Sequence, residues 1–393
     1  MERLMCSRYL ILIGSLIFLS FGQSAIAATA HPITIGIVED VTGYNAEAGR
    51  AERDAAIMCI ENWNSKGGIK GQKIEYVFRD NGGDPSKATT IAKELVNLGV
   101  TGVQGGTSTT VSLAEAAVLV RGQIPYMSCS VSSKLWDLKG QDGKWYAFSV
   151  IGSEPVCAEA WTEPIIKYVP NHKKVVIAYV NNIWGKNLKD TIINLIKGKY
   201  ASEKMEVIDT IETELKLADA SKEVTRIKSL NPDGVISIMF SEAYIAWFRA
   251  CNDLNYHPPT TGYWGLLETV FLSSEPKFLY NSYGFGSYDG NKKGAAEMLE
   301  VFKKKYGYTP VSHWALGWDG VNILLTGINN VGTDKSALRD WIATKSKGMP
   351  LMSGNRRAVC RIEDGSPYFY SVPYAQDMGV VYVDKDGKQK WMD

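Results

Sequence analysis

The chain has 393 residues, with 43 Lys and Arg against 42 Asp and Glu, six cysteines and four histidines. A charge this even, with no basic block or stripe, argues against a nucleic-acid partner, because phosphate binding needs clustered Lys and Arg. Four scattered histidines without ligand spacing argue against a zinc centre, no motif for a cofactor is present, and the length points to two lobes.

Arg3 and Arg8 open the chain, Tyr9 to Phe21 is an almost unbroken apolar run, and Ala25 and Ala27 form an A-x-A pattern. That is the design of a cleaved secretory signal peptide over residues 1–27, too short in its apolar part to span a membrane. The expected product is a periplasmic, monomeric protein. Without Cys6, five cysteines remain, so at least one thiol stays free.

The mature chain then alternates strands and helices. Ile33 to Val38 reads as a buried strand, followed by a loop from Glu39 to Gly49 and a helix through Ala55, Ile57, Ile60 and Trp63 that ends at Lys66-Gly67-Gly68. A strand over Lys73–Arg79 precedes Asp84-Pro85, an N-cap and N1 proline for a helix over Ser86–Leu98. A strand near Val100–Val103, a helix over about Val111–Arg121 and a strand at Ile124–Met127 follow. The pattern repeats after residue 150: strands at Lys174–Val180, Val207–Ile211 and Gly234–Phe240, with helices at Lys186–Lys197, Ser221–Leu230 and Ala243–Leu254. Two such series predict an α/β protein of two doubly wound lobes with parallel sheets.

Ligands of such sheets bind beyond the carboxyl ends of the strands. Two hydroxyl clusters fall there, Gly105-Gly106-Thr107-Ser108-Thr109-Thr110 and Ser128-Cys129-Ser130-Val131-Ser132-Ser133. The first opens a helix, whose unpaired N–H groups receive anions such as carboxylates. The second series places aromatics at its strand ends instead: Trp184, Phe240, and Tyr263-Trp264. A hydroxyl wall facing an aromatic wall has the composition of a small-molecule pocket. An exported enzyme is the first rival, but no G-x-S-x-G, H-E-x-x-H, P-loop or G-x-G-x-x-G motif is present. A ligand-sensing receptor of the same fold is the second.

Several stretches carry a family resemblance: Ile35-Gly36-Ile37 with Val41-Thr42-Gly43, Ile60 through Gly71 with its Asn62-Trp63-Asn64-Ser65-Lys66-Gly67-Gly68-Ile69 core, Arg79 through Ala88, and the loop at Gly105. In these the chain resembles the leucine/isoleucine/valine-binding proteins, the type I periplasmic binding proteins of ABC importers. The resemblance implies two Rossmann-like lobes joined by three crossovers, with residues 31–150 and 286–350 in one and 151–285 and 351–393 in the other. It implies that the protein traps a small carboxylate ligand by closure and delivers it to an ABC-importer membrane permease. The family's carboxylate-binding hydroxyl falls near Thr109, with Ser108 one place off, and its backbone and hydroxyl contacts in the next loop fall on Ser130 and Ser132; its aromatic positions fall on Trp184 and Phe240. Its tyrosine in the first loop falls on Ala48, its ammonium-binding acid at or next to Trp264, and a cysteine of its disulfide on Gly83. Glu39, Asp40, Glu242 and Glu268 are the acids that could take the missing role.

Overall fold

The structure, a computed structural model, describes residues 32–262, 266, 276–284, 293–346, 349–352, 354–360, 369–370 and 380–392. The signal segment and Trp264 lie outside the described residues.

The first lobe is built on a five-stranded parallel sheet. Its strands are β1 (Ile33–Glu39), β2 (Ile74–Asp80), β3 (Gly102–Gly105), β4 (Tyr126–Ser128) and β5 (Ala147–Ser149), in the order β2-β1-β3-β4-β5. Helices α1 (Ala46–Ser65), α2 (Pro85–Leu98) and α3 (Thr109–Arg121) connect them. Because strand side chains alternate, Ile33, Ile35 and Ile37 of β1 join one core while Val38 joins another with Ile91, Leu95 and Leu119 of α2 and α3. Asp84 caps α2 as expected, accepting from the N–H groups of Ser86 and Lys87, with Pro85 at the first position.

The second lobe is built on a seven-stranded sheet. After α4 (Glu154–Tyr168) come β6 (Lys174–Val180), α5 (Ile183–Lys197), β7 (Glu206–Thr213), α6 (Ser221–Leu230), β8 (Gly234–Ile238), α7 (Ser241–Asp253), β9 (Thr260–Gly262) and β10 (Ser282–Gly284). The chain then supplies α8 (Lys293–Tyr306), α9 (Trp314–Val331) and α10 (Lys335–Lys345). A small antiparallel sheet follows, of β11 (Met349–Leu351), β12 (Gly354–Cys360) and β13 (Phe369–Tyr370). Finally β14 (Val380–Val383) returns antiparallel to β10, and β15 (Gln389–Met392) completes the order β15-β14-β10-β9-β8-β6-β7. Helix α9 packs on α1 and beneath β3 and β4, so the chain passes between the lobes after β5, after β10 and before β14.

Two local differences from the sequence reading matter. Helix α1 begins at Ala46, inside the expected loop, because Gly49 lets its first turn press on the Asp40 backbone; a Cβ there would lie 1.9 Å from the Asp40 carbonyl oxygen. Strand β5 and helix α4 were not anticipated. The strand is three residues long, and the helix carries Pro164 in its interior, so neither shows an ordinary pattern. Cys59, Cys129, Cys157 and Cys251 are buried and form no disulfide among the described residues.

The core between α2, α3 and the sheet contains a carboxyl, Glu115. Asn81 Nδ2 donates to its Oε1 at 3.0 Å and the Tyr126 hydroxyl to its Oε2 at 2.7 Å. Burial pushes Glu115 from the ordinary 4.5 up to about 8, partly offset by the Tyr126 hydrogen bond. Between those values the folded chain holds a proton that the unfolded chain has lost. Its contribution is therefore fully present at acid pH and fades as pH rises through about 8. The thermal midpoint should fall as pH rises from about 5 to 9, and the fall should be shallower in Glu115→Gln. Melting curves across that range check this; identical slopes in the two proteins would refute it.

Candidate functional site

Strand order reverses between β1 and β3 in the first sheet and between β6 and β8 in the second. Loops diverge at such points and leave a crevice at the carboxyl ends of the strands. In the first lobe the strand ends are level, with Val38 beside Gly105, Gly105 beside Ser128 and Ser128 beside Ser149. The loops after β3 and β4 therefore emerge side by side. Gly106 makes the first of these turns possible, with φ +78° and a position where a Cβ would lie 2.1 Å from the Tyr126 hydroxyl and 2.3 Å from Ser112 Oγ.

The resulting crevice encloses about 310 Å³ of empty volume, counting its solvent-facing mouth. Thr107, Ser108, Thr109, Cys129, Ser130 and Val131 form its first-lobe wall, and Trp184 and Phe240 with Ile151 form the other. All the polar lining residues are buried.

Hydrogen bonds behind the hydroxyl wall decide what it can offer. The Tyr44 hydroxyl donates to Ser108 Oγ at 2.7 Å, which leaves the Ser108 hydrogen available. Thr109 Oγ1 and Ser130 Oγ lie 3.1 Å apart, so this pair spends one hydrogen and keeps one. Ser130 is fixed from behind by the Ser132 N–H to its Oγ at 3.2 Å, and its own N–H donates to Ser128 Oγ at 3.0 Å. Ser108 is the N-cap residue of α3 and its side chain makes no cap bond; the first intrahelical bond runs from the Ser112 N–H to its carbonyl. The N–H groups of the first turn have no intrahelical acceptor. This end of the cavity is rich in donors, the requirement for an anion.

The opposite wall is a ring stack. Trp184 and Phe240 stack at 5.0 Å between centroids, and Trp161 meets Trp184 edge-on at 6.2 Å. Asn182 caps α5 through the Gly185 N–H at 2.8 Å and so holds Trp184 in the first helical turn. The lobes touch here, because the Tyr44 ring lies 5.2 Å from Phe240.

The structure thus brings Ser108, Thr109, Ser130, Trp184 and Phe240 to one cavity. Ser132 is not part of its lining; its hydroxyl accepts from the Lys134 N–H and caps a short 3-10 turn. Ala48 lies in the α1 core and carries no part of the site. The tyrosine of this loop is Tyr44, whose ring meets Phe240 and whose hydroxyl meets Ser108. Asp40, which accepts from the Asn45 N–H, and Asp80, which accepts from the Val41 N–H and the Thr42 hydroxyl, pin the loop that carries it. Among the proposed acids, Asp40 is used in that loop, Glu242 is exposed, Glu268 lies outside the described residues, and Glu39 is buried behind Thr107.

A model of the periplasmic binding protein family matches residues 32–388. The chain is 25% identical over 330 residues to the Leu/Ile/Val-binding protein homolog 3 of Brucella melitensis, covering 83% of this chain and 86% of that protein. Among solved structures, LivJ of Streptococcus pneumoniae in complex with isoleucine superposes with a TM-score of 0.77 at 19% identity, covering 91% of this chain and 98% of that one. A solute-binding protein of an ABC transporter from Rhodopseudomonas palustris, in complex with 3,4-dihydroxybenzoic acid, gives 0.73 at 18% identity over 91% and 95%. The two solved structures share the two-lobed fold; the family match, extending over nearly all of the described chain, carries the assignment. The chain belongs to the periplasmic binding protein family.

Proposed function

We propose that the protein is the periplasmic substrate-binding component of an ABC importer and closes on a small carboxylate with an apolar body. That body belongs to a branched-chain or other hydrophobic amino acid, or to an aromatic or aliphatic acid. The observation that carries the proposal is the single cavity walled by hydroxyl donors on one lobe and stacked rings on the other. The carboxylate is received by Ser108, Thr109, Ser130 and the first turn of α3, with Ser132 acting behind Ser130. Trp184 and Phe240 cover the apolar body, and Trp264 is the third ring expected on that side. The relatives support both ligand types, since one solved structure holds isoleucine and another 3,4-dihydroxybenzoic acid.

The two lobes move as bodies against each other, the first built on β1–β5 with α9 and the second on the seven-stranded sheet. Only the closed arrangement offers both walls at once, so a ligand that contacts both shifts the population toward closure. Burying about 100 Å² of apolar ligand surface contributes about 2.5 kcal/mol. Charge-assisted hydrogen bonds of about 1.5–3 kcal/mol each offset desolvation of the carboxylate.

A thermal-shift panel of L-leucine, L-isoleucine, L-phenylalanine, benzoate and 3,4-dihydroxybenzoate, each beside its methyl ester, tests the anion end. At least one acid should raise the melting midpoint at millimolar dose and its ester should not. Esters that stabilise as well as their acids would remove the carboxylate from the account. For the acid found, Trp184→Ala should weaken binding at least about tenfold by calorimetry, less than the full worth of the covered surface. Because Trp184 also packs on Trp161, Trp184→Phe should be run alongside; it keeps an aromatic ring at that position and should lose less affinity. Unchanged affinity in Trp184→Ala would take this residue out of the site.

A further inference from the structure

Behind the hydroxyl wall lies an acidic cluster that the proposed carboxylate site does not use. Glu39 ends β1 and Glu52 lies on α1, both with no solvent exposure. Their carboxylates and the Cys129 thiol have ligating atoms within 4.8 Å of one another. Helix α9 presses against this place, since a Cβ on Gly317 would lie 2.1 Å from the Glu52 carbonyl oxygen. The groups facing the pair are Gln104 from β3, Thr107 after β3, Cys129 after β4, His313 before α9 and, at longer range, Glu115 of α3.

Donors are divided unequally between the two acids. Gln104 Nε2 donates to Glu39 Oε1 at 2.8 Å, and the Thr107 hydroxyl donates to Glu39 Oε2. Neither oxygen of Glu52 is paired with an N–H or O–H donor. Burial raises the proton affinity of both carboxyls, and for Glu52 the charge of Glu39 raises it further. Two carboxylates this close in a dry interior do not both ionise. The one furnished with donors keeps the charge, so the proton stays on Glu52 and bridges to Glu39.

The consequence reaches the cavity through Thr107, which lines it. Its single hydroxyl hydrogen is committed to Glu39, so toward the cavity it can only accept. Ser108 and the Thr109–Ser130 pair can still donate. The lining is therefore polarised, with donors at one end and an acceptor backed by a buried negative charge at the other.

We infer that Glu39 and Glu52 share one proton and that the charge left on Glu39, relayed through Thr107, makes this wall the receptor for a hydrogen-bond donor on the ligand, an ammonium above all. The inference rests on the carboxylate reading and refines it. Glu39 and Glu52 are positioning residues that act through Thr107, and the ligand they favour bears an amine beside its carboxylate.

Matched probes separate the two ideas: L-leucine against 4-methylpentanoate, and L-phenylalanine against 3-phenylpropanoate, measured by calorimetry. In at least one pair the amine-bearing member should bind about 10- to 100-fold tighter, the worth of one charge-assisted hydrogen bond. That ratio should collapse toward unity in Glu39→Gln and in Thr107→Val. It should survive in Glu52→Gln, whose amide still donates to Glu39; a merely structural role for the cluster would not distinguish the two glutamines. Infrared spectra of the ligand-free protein should lose a protonated-carboxyl carbonyl band in Glu52→Gln, separate from the band lost in Glu115→Gln. Should Glu39→Gln fail to fold, Thr107→Val decides the ratio. Equal binding within both pairs overturns the inference and leaves the carboxylate reading standing, whereas failure of every acid to bind overturns both. A stoichiometric divalent metal in the purified protein, lost in Glu52→Gln, overturns the shared proton.

Discussion

Four parallel strands of the first lobe end level with one another, and that register governs what the cavity can be. With Val38, Gly105, Ser128 and Ser149 in line, the chain leaves the sheet at one height. The segments that follow must then satisfy their polar groups against each other. Ser149 Oγ donates to the Ser130 carbonyl, Ser130 N–H to Ser128 Oγ, and Ser128 Oγ to Ser112. These buried bonds leave the wall little rotational freedom, so its hydroxyls are aimed before any ligand arrives. Preorganisation of this kind lowers the ordering cost of binding.

The aromatic wall obeys a different logic. Trp184 sits in the first turn of α5 and Phe240 is the N-cap residue of α7, and both are almost wholly buried. They belong to the core of the second lobe as much as to the cavity, through Trp161 behind and Tyr44 across the crevice. A ring stack that is already packed offers a ligand a rigid apolar surface. It also makes the first lobe's Tyr44 part of the contact between the lobes, and the Tyr44 hydroxyl simultaneously donates to Ser108. One side chain thus links the two walls.

Much of this was legible in the residue order, wherever the cause is local. Asp84-Pro85 starts a helix because the cap and the proline act on their own neighbours, and the strand at Lys174–Val180 and the helix at Ser221–Leu230 stand where their patterns place them. Hydroxyl loops and aromatic strand ends were visible for the same reason. What was hidden depends on contacts between distant segments. Tyr44 reaches Ser108 and Phe240 because Asp40 and Asp80 fold its loop and because Gly49 lets α1 start early. Ser132 differs from Ser130 only in where its hydroxyl turns, toward the Lys134 N–H. No spacing rule separates those two serines.

The buried acids show why burial alone assigns no role. Replacing a buried ionisable group by an apolar one of similar volume is often neutral or stabilising, so fold stability is a weak reason for such groups to be there. Glu115 has a donor on each oxygen, and its partners Asn81 and Tyr126 do not line the cavity. Its proton is a matter internal to the lobe. Glu39 differs in a single bond: its partner Thr107 has one side toward the carboxyl pair and the other toward the ligand space. Because a hydroxyl owns one hydrogen, whatever fixes that hydrogen inward fixes the character it shows outward. The position of one proton two layers below the surface therefore sets the polarity of the wall above it.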